Sequence, residues 1–209
     1  MTSYLDQLIA EVPALQKLSS AGDANGFFAQ EALRFVTIAG TLSAIEQFTL
    51  DEGASVNERY MTHTLSRSLL ENYFWIIYLF DDDAETVRRY EELTNSFKRE
   101  YVKLLNEPLL PRKTELDPAD PLWANLPRGL DVNSMLAQVR NDHGDRLNYL
   151  YFVYRVTSFD THGKNLGTIF ETVFGKTCGF PVLKIEKVFE LIANQYLVVL
   201  NDLRARGVV

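Results

Sequence analysis

Asn57-Glu-Arg-Tyr60-Met-Thr-His63-Thr-Leu-Ser-Arg67-Ser-Leu-Leu-Glu71-Asn-Tyr73-Phe-Trp75-Ile-Ile-Tyr78-Leu-Phe80 is the stretch that decides the fold. It reads as one long helix. Its second half, Leu69 to Phe80, is the most apolar run of the chain and contains Glu71 and Asn72. A bilayer crossing needs about 20 apolar residues in a row, so this run is a core helix and no membrane partner is expected. In the polar half, His63, Arg67 and Glu71 stack at i, i+4 and i+8 on one face. Arg67 and Glu71 form a pair of the kind that bridges one helical turn. Beside so apolar a run the pair is expected to be partly buried, fixing registry or orienting a side chain from a later helix.

Outward from this helix the chain keeps a helical pattern. Tyr4 to Leu18 places Leu5, Leu8, Ile9, Val12 and Leu15 on one stripe, and the run Ala21-Gly-Asp-Ala-Asn-Gly26 interrupts it. Phe27 to Leu50 forms a second stripe, through Phe35, Val36, Ala39, Leu42 and Ile45. Asp81-Asp82-Asp83 is expected to open the next helix, because carboxylates suit an N-terminal dipole. That helix, Glu85 to Leu105, has Val87, Tyr90, Leu93, Phe97, Tyr101 and Leu104 on its apolar side. Arg88-Arg89 and Lys98-Arg99, among glutamates, are expected on a solvated face. Residues 107–130 hold Pro108, Pro111, Pro118, Pro121 and Pro127 and read as a long irregular connection that packs through Trp123. Helical patterning resumes at Asp131, a possible cap, and runs through Leu147 to about His162. A short helix over Leu166–Phe174 and a last one over Val182–Arg204 complete the chain. The expected architecture is all-α: one helical-bundle domain over 1–209, of about six to eight helices, with one long proline-rich loop.

Composition narrows the class further. The chain has 209 residues, 46% hydrophobic and 23% charged, enough to bury a full core. A single cysteine, Cys178, excludes an internal disulfide. The first residues lack a basic stretch, so no secretory signal is expected, and a cytoplasmic location is the expectation. Net charge is −7, unevenly placed: residues 1–132 carry 12 Lys/Arg against 21 Asp/Glu, and residues 133–209 carry 9 against 7. An acidic balance opposes a broad nucleic-acid-coating surface but leaves room for a small basic cleft in the C-terminal part.

That part contains Tyr151-Phe-Val-Tyr-Arg155-Val-Thr-Ser158-Phe-Asp160-Thr-His162-Gly163. At about 100° per residue, seven steps bring Arg155 and His162 back to nearly one helical face, with Ser158 between them. A guanidinium can hold a phosphate through its fork, and an imidazole can move a proton beside it. Arg-x6-His, with Arg67-Ser-Leu-Leu-Glu71 and the later Ser158-x3-His162, resembles the HEPN superfamily and certain bacterial HEPN-like families. The resemblance spans roughly residues 57–175. It implies a homodimer with the two motif histidines facing each other, and a metal-independent endoribonuclease acting on RNA. Arg155 and His162 would be catalytic, Ser158 a supporting hydrogen-bonder, and Arg67 and Glu71 supporting residues. It also implies a toxin or phage-defence role with a cognate antitoxin, and no cofactor. Catalytic members usually carry a polar residue after the arginine, where this chain has Val156.

A non-catalytic reading stands beside this one: a helical dimerisation or sensor module in which the same residues form a seam. His63, His143 and His162 match a three-histidine metal site in number, as in DinB-like helical proteins, but show no i/i+4 or H-E-x-x-H spacing. No metal is therefore expected. The aromatics of Tyr73–Phe80 and Tyr149–Tyr154 are expected in the core rather than as base-stacking platforms. Cys178 has no neighbouring base in sequence and is not expected to be a nucleophile. If Arg155 and His162 are catalytic, they should be solvent-reachable and have basic neighbours such as Arg140, Arg146 or Lys164.

Overall fold

The computed structural model describes residues 2–44, 49–50, 53–108, 113–140, 145–162, 171–175 and 183–209. Its helices are α1 (Tyr4–Ala10), α2 (Val12–Leu18), α3 (Ala24–Ala44), α4 (Val56–Phe80), α5 (Thr86–Leu105), α6 (Val132–Leu136), α7 (Asp145–Thr161) and α8 (Ile185–Ala205). Residues 171–174 are also helical, and no strand occurs among the described residues. The fold is an all-α bundle. No described helix is long and apolar enough to cross a membrane. The chain forms two compact units, residues 1–73 with 141–209, and residues 74–140.

In the first unit, Tyr196 of α8 sits at the centre of an aromatic cluster. Its ring meets Phe28 and Phe35 edge-on at 5.8 and 5.5 Å, and Tyr73 at 6.2 Å. Such contacts add to the burial of the rings themselves. A polar group intrudes here. Glu31 is only 5% exposed; Asn72 donates to it at 2.5 Å and Arg34 lies 3.1 Å away. Burial raises its carboxyl pKa, with Arg34 and Asn72 opposing the shift.

Helix ends depart from expectation where local chemistry intervenes. The predicted helix Tyr4–Leu18 breaks at Glu11 because Pro13 lies in the first turn of α2. Proline has no N–H to continue the α1 ladder. Glu11 at the break binds Arg204 of α8 through both carboxylate oxygens, one of them at 2.9 Å. That guanidinium is the main cause of the lowered Glu11 pKa. At the other end of α1, Glu190 of α8 accepts the Tyr4 and Leu5 amides at 2.8 and 3.3 Å. Helix α3 starts earlier than expected because Asp23 accepts the Asn25 and Gly26 amides. A β-carbon at Gly26 would lie 1.8 Å from the Ala21 carbonyl oxygen, so only glycine fits. Helix α4 opens with a capping box: Glu58 N donates to Ser55 Oγ, and Ser55 N donates back to Glu58 Oε2.

In the second unit, α5 buries Leu93 of the predicted apolar side and half-buries Tyr90 and Tyr101, but leaves the rest of that side exposed. Val87, Phe97 and Leu104 are 81%, 54% and 39% exposed, whereas Arg89 and Val102, outside the predicted side, are buried. Arg89, expected on the surface with Arg88, lies on the inward side. Its guanidinium donates to the Tyr78 carbonyl, lies 3.8 Å from Asp81 and stacks over the Tyr78 ring. A charge this buried requires such partners. In the acidic triplet, Asp82 accepts the Ala84 amide at 3.1 Å in the turn leading into α5, and the triplet also binds a later residue. Asp81 accepts the Arg140 amide at 3.0 Å and Asp82 pairs with the Arg140 guanidinium at 2.8 Å. Arg88 does lie on a solvated face, bridging Glu85 and Glu92. Of the proline-rich connection, the described part carries 3-10 turns at Lys113–Glu115 and Pro121–Asn125 and runs along α5. Tyr101 donates to the Asp117 carbonyl, Arg99 donates to that of Leu126, and Lys98 lies over the Trp123 ring.

Gly26→Ala is expected to destabilise the chain by about 1–3 kcal/mol through overpacking, read as a lowered midpoint in urea unfolding. The two glutamates respond to pH with opposite signs. Folded Glu31 holds its proton more tightly than the unfolded chain does. Its contribution is thus full below the ordinary glutamate range and lost as pH rises through its raised pKa. Glu11 contributes above that range and loses its contribution as pH falls through its lowered pKa. Urea midpoints followed from pH 3 to 7 should show Glu31→Gln and Glu11→Gln each removing its own, oppositely directed, dependence.

Candidate functional site

Helix α7 carries the Arg–His motif, and its packing in the first unit sets what the motif can do. Leu150, Val153 and Thr157 are fully buried and mark its inward side. Arg155 and His162 are both exposed, and Ser158 is half-buried beside them. The expected common face is therefore an outward one. His162 closes the last turn, its amide donating to the Ser158 carbonyl at 3.3 Å.

The residues of α4 expected to support this pair meet different side chains. His63 Nδ1 lies 2.6 Å from Asp160 Oδ2, with the two side chains 12% and 16% exposed. Arg67 bonds Glu71 at 2.8 Å, as its spacing implied, and its guanidinium lies 3.5 Å from the centroid of the Tyr154 ring. Only the arginine end of that pair is sheltered, at 16% against 54% exposed. Burial raises the Tyr154 hydroxyl pKa, and the Arg67 charge opposes the rise. Arg67 and Glu71 thus act on α7 through Tyr154. Because His63 and Arg67 advance along α4 as Asp160 and Tyr154 recede along α7, the two helices run antiparallel at this seam. Lys187 of α8, 5.0 Å from the Tyr149 ring centroid, adds a cation over the N-terminal half of α7.

Asp160 and Tyr154 are the partners that the motif reading missed. A signal for Asp160 was present: it follows Val153 and Thr157 on the inward stripe of α7, and a carboxylate there requires a partner. Nothing in sequence names His63, 97 residues away, as that partner. Tyr73, Phe74, Trp75 and Tyr78 are buried as expected, and so is Tyr154, but Phe152 is 42% exposed. Arg146 is exposed, and Arg140 is engaged by Asp82 in the second unit. His143, Gly163, Lys164 and Cys178 lie outside the described residues, as does most of the expected helix Leu166–Phe174.

Chemically, the seam and the outward face are different. At the seam, Asp160 can hold His63 in one tautomer, and Arg67 is occupied by a carboxylate and a ring. On the outward face, a guanidinium and an imidazole share one side of a helix with solvent access. No family model, curated protein or solved structure matches this chain.

The His63–Asp160 bond is expected to stabilise the α4–α7 seam by about 1.5–3 kcal/mol, the range for hydrogen bonds to charged groups. In a double-mutant cycle read by urea unfolding, His63→Ala and Asp160→Ala together should cost clearly less than the sum of the two alone.

Proposed function

We propose that this chain is a HEPN-like helical protein that cleaves RNA without a metal ion at the outward face of α7. The observation that carries this reading is that Arg155 and His162 recur on one helical face and are both exposed, while the neighbouring carboxylate, Asp160, is engaged by His63. The guanidinium fork of Arg155 holds two non-bridging oxygens of the scissile phosphate and stabilises the charge that builds on them. His162 takes the proton of the adjacent 2′-hydroxyl. The 2′-oxygen then attacks phosphorus, the bond to the 5′-oxygen breaks, and a cyclic phosphate and a 5′-hydroxyl result. The leaving oxygen needs a proton, which a second imidazole or water supplies. Ser158, one turn before His162, supports by hydrogen bonding.

The resemblance adds a homodimer in which the partner copy brings that second imidazole, a cytoplasmic setting and a cognate antitoxin. These belong to the same proposal. Val156, between Arg155 and the rest of the motif, is half-buried and supplies packing rather than a polar contact.

Cleavage of a panel of single-stranded RNAs in EDTA tests the reading. His162→Ala is expected to lower the rate by about 10²–10⁴-fold and Arg155→Ala by about 10²–10³-fold, with circular dichroism unchanged. Equal rates in all three proteins, or no cleavage by wild type, assign the chain instead to the non-catalytic dimerisation or sensor class.

A further inference from the structure

The outward face of α7 holds more than its two motif residues. Phe152 and Phe159 are 42% and 41% exposed, and with Arg155 and His162 they form a stripe spaced 3, 4 and 3 residues apart. At about 100° per residue these four side chains fall within one side of the helix, with aromatic rings and an arginine or histidine in alternation. A single exposed phenylalanine needs no explanation. Two of them, seven residues apart and each next to a motif residue, form a pattern.

Charge decides what fits that pattern. The whole chain carries −7, yet from Arg146 to Thr161 the only carboxylate is Asp160. His63 engages that carboxylate on the inward side. The stripe itself therefore presents one guanidinium, an imidazole and two aromatic faces with nothing acidic between them. Laid directly on a second copy of itself, it would bring two copies of Arg155 together with no carboxylate between them, which is unfavourable. A polyanion with flat apolar bases satisfies both features at once, a phosphate on Arg155 and bases on the rings.

We propose that Phe152 and Phe159 are base-stacking residues that seat single-stranded RNA along α7, on either side of the phosphate held by Arg155. The polymer's identity rests on the ribonuclease reading above; the stacking role rests on the exposed stripe. A duplex keeps its bases stacked on each other and cannot offer them to the rings, so the site selects unpaired segments. In a homodimer the stripe lines the cleft that holds the strand, with the RNA between the Arg155 side chains of the two copies.

The test uses the full chain and a fluorescent 2′-O-methyl RNA strand, which lacks the attacking hydroxyl and cannot be cleaved. Binding is followed by fluorescence anisotropy at fixed salt. Phe152→Leu and Phe159→Leu keep an apolar side chain without a ring, and each should weaken single-strand binding about five- to a hundredfold. Phe152→Tyr and Phe159→Tyr should bind as wild type does, and the matching duplex should show no dependence on either position. Light scattering on each variant reports the oligomeric state. Wild-type affinity in both leucine variants overturns the proposal, and so does a change of oligomeric state, which would make the stripe a contact between copies. Ring-dependent binding without cleavage of ordinary RNA would uphold the stacking site and remove the ribonuclease reading. Cleavage with ring-independent binding would do the reverse.

Discussion

Asp160 sits on the inward side of α7, and its contact with His63 at 2.6 Å fixes the rotation of that helix about its own axis. Rotation by about one residue, 100°, would carry Arg155 toward the flank and bring a buried valine or threonine into water. The penalty for stranding a half-buried carboxylate keeps the helix in place. The stacking of Arg67 on Tyr154 two turns earlier acts in the same sense. Both contacts come from one face of α4, so the polar stripe of that helix sets which residues of α7 solvent can reach.

This arrangement separates structural charge from available charge. His63, Arg67, Glu71 and Asp160 are all engaged at the seam. Arg89, Asp81 and Arg140 are likewise engaged in the second unit, with Arg89 on the inward side of α5. The outward stripe of α7 is different: its arginine and histidine are exposed and the nearby carboxylate is turned away. In an acidic protein a local positive surface of this kind needs the removal of a negative neighbour as much as the presence of an arginine. His63, which resembled a metal ligand in the count of histidines, performs that removal.

Much of the fold was legible. The α4 run gave its own helix, its burial and its failure to span a bilayer, because hydrophobic burial follows directly from composition and period. The misreadings share a cause. The predicted apolar side of α5 held at Leu93 but failed at Val87, Phe97 and Leu104, where a buried arginine, Arg89, lies on the inward side instead. The Tyr4–Leu18 helix failed at Pro13, a local signal that periodicity overrides when read alone. Of the candidate site, the shared face of Arg155, Ser158 and His162 was legible from spacing. The exposure of Phe152 was not, because an aromatic in an apolar run has the same pattern whether it faces the core or solvent.

The sequence by itself determined the all-α class, the long core helix, the intrahelical Arg67–Glu71 bridge and the alignment of Arg155 with His162. Each depends on residues within a few turns of one another, where helix geometry alone fixes distance. Tertiary structure decided which way those faces point. The pairings His63–Asp160, Arg67–Tyr154, Glu11–Arg204 and Asn72–Glu31 join residues far apart in the chain. They exist because a buried or half-buried charge takes whichever partner the packing of helices brings within reach, and no spacing rule along one helix encodes that choice.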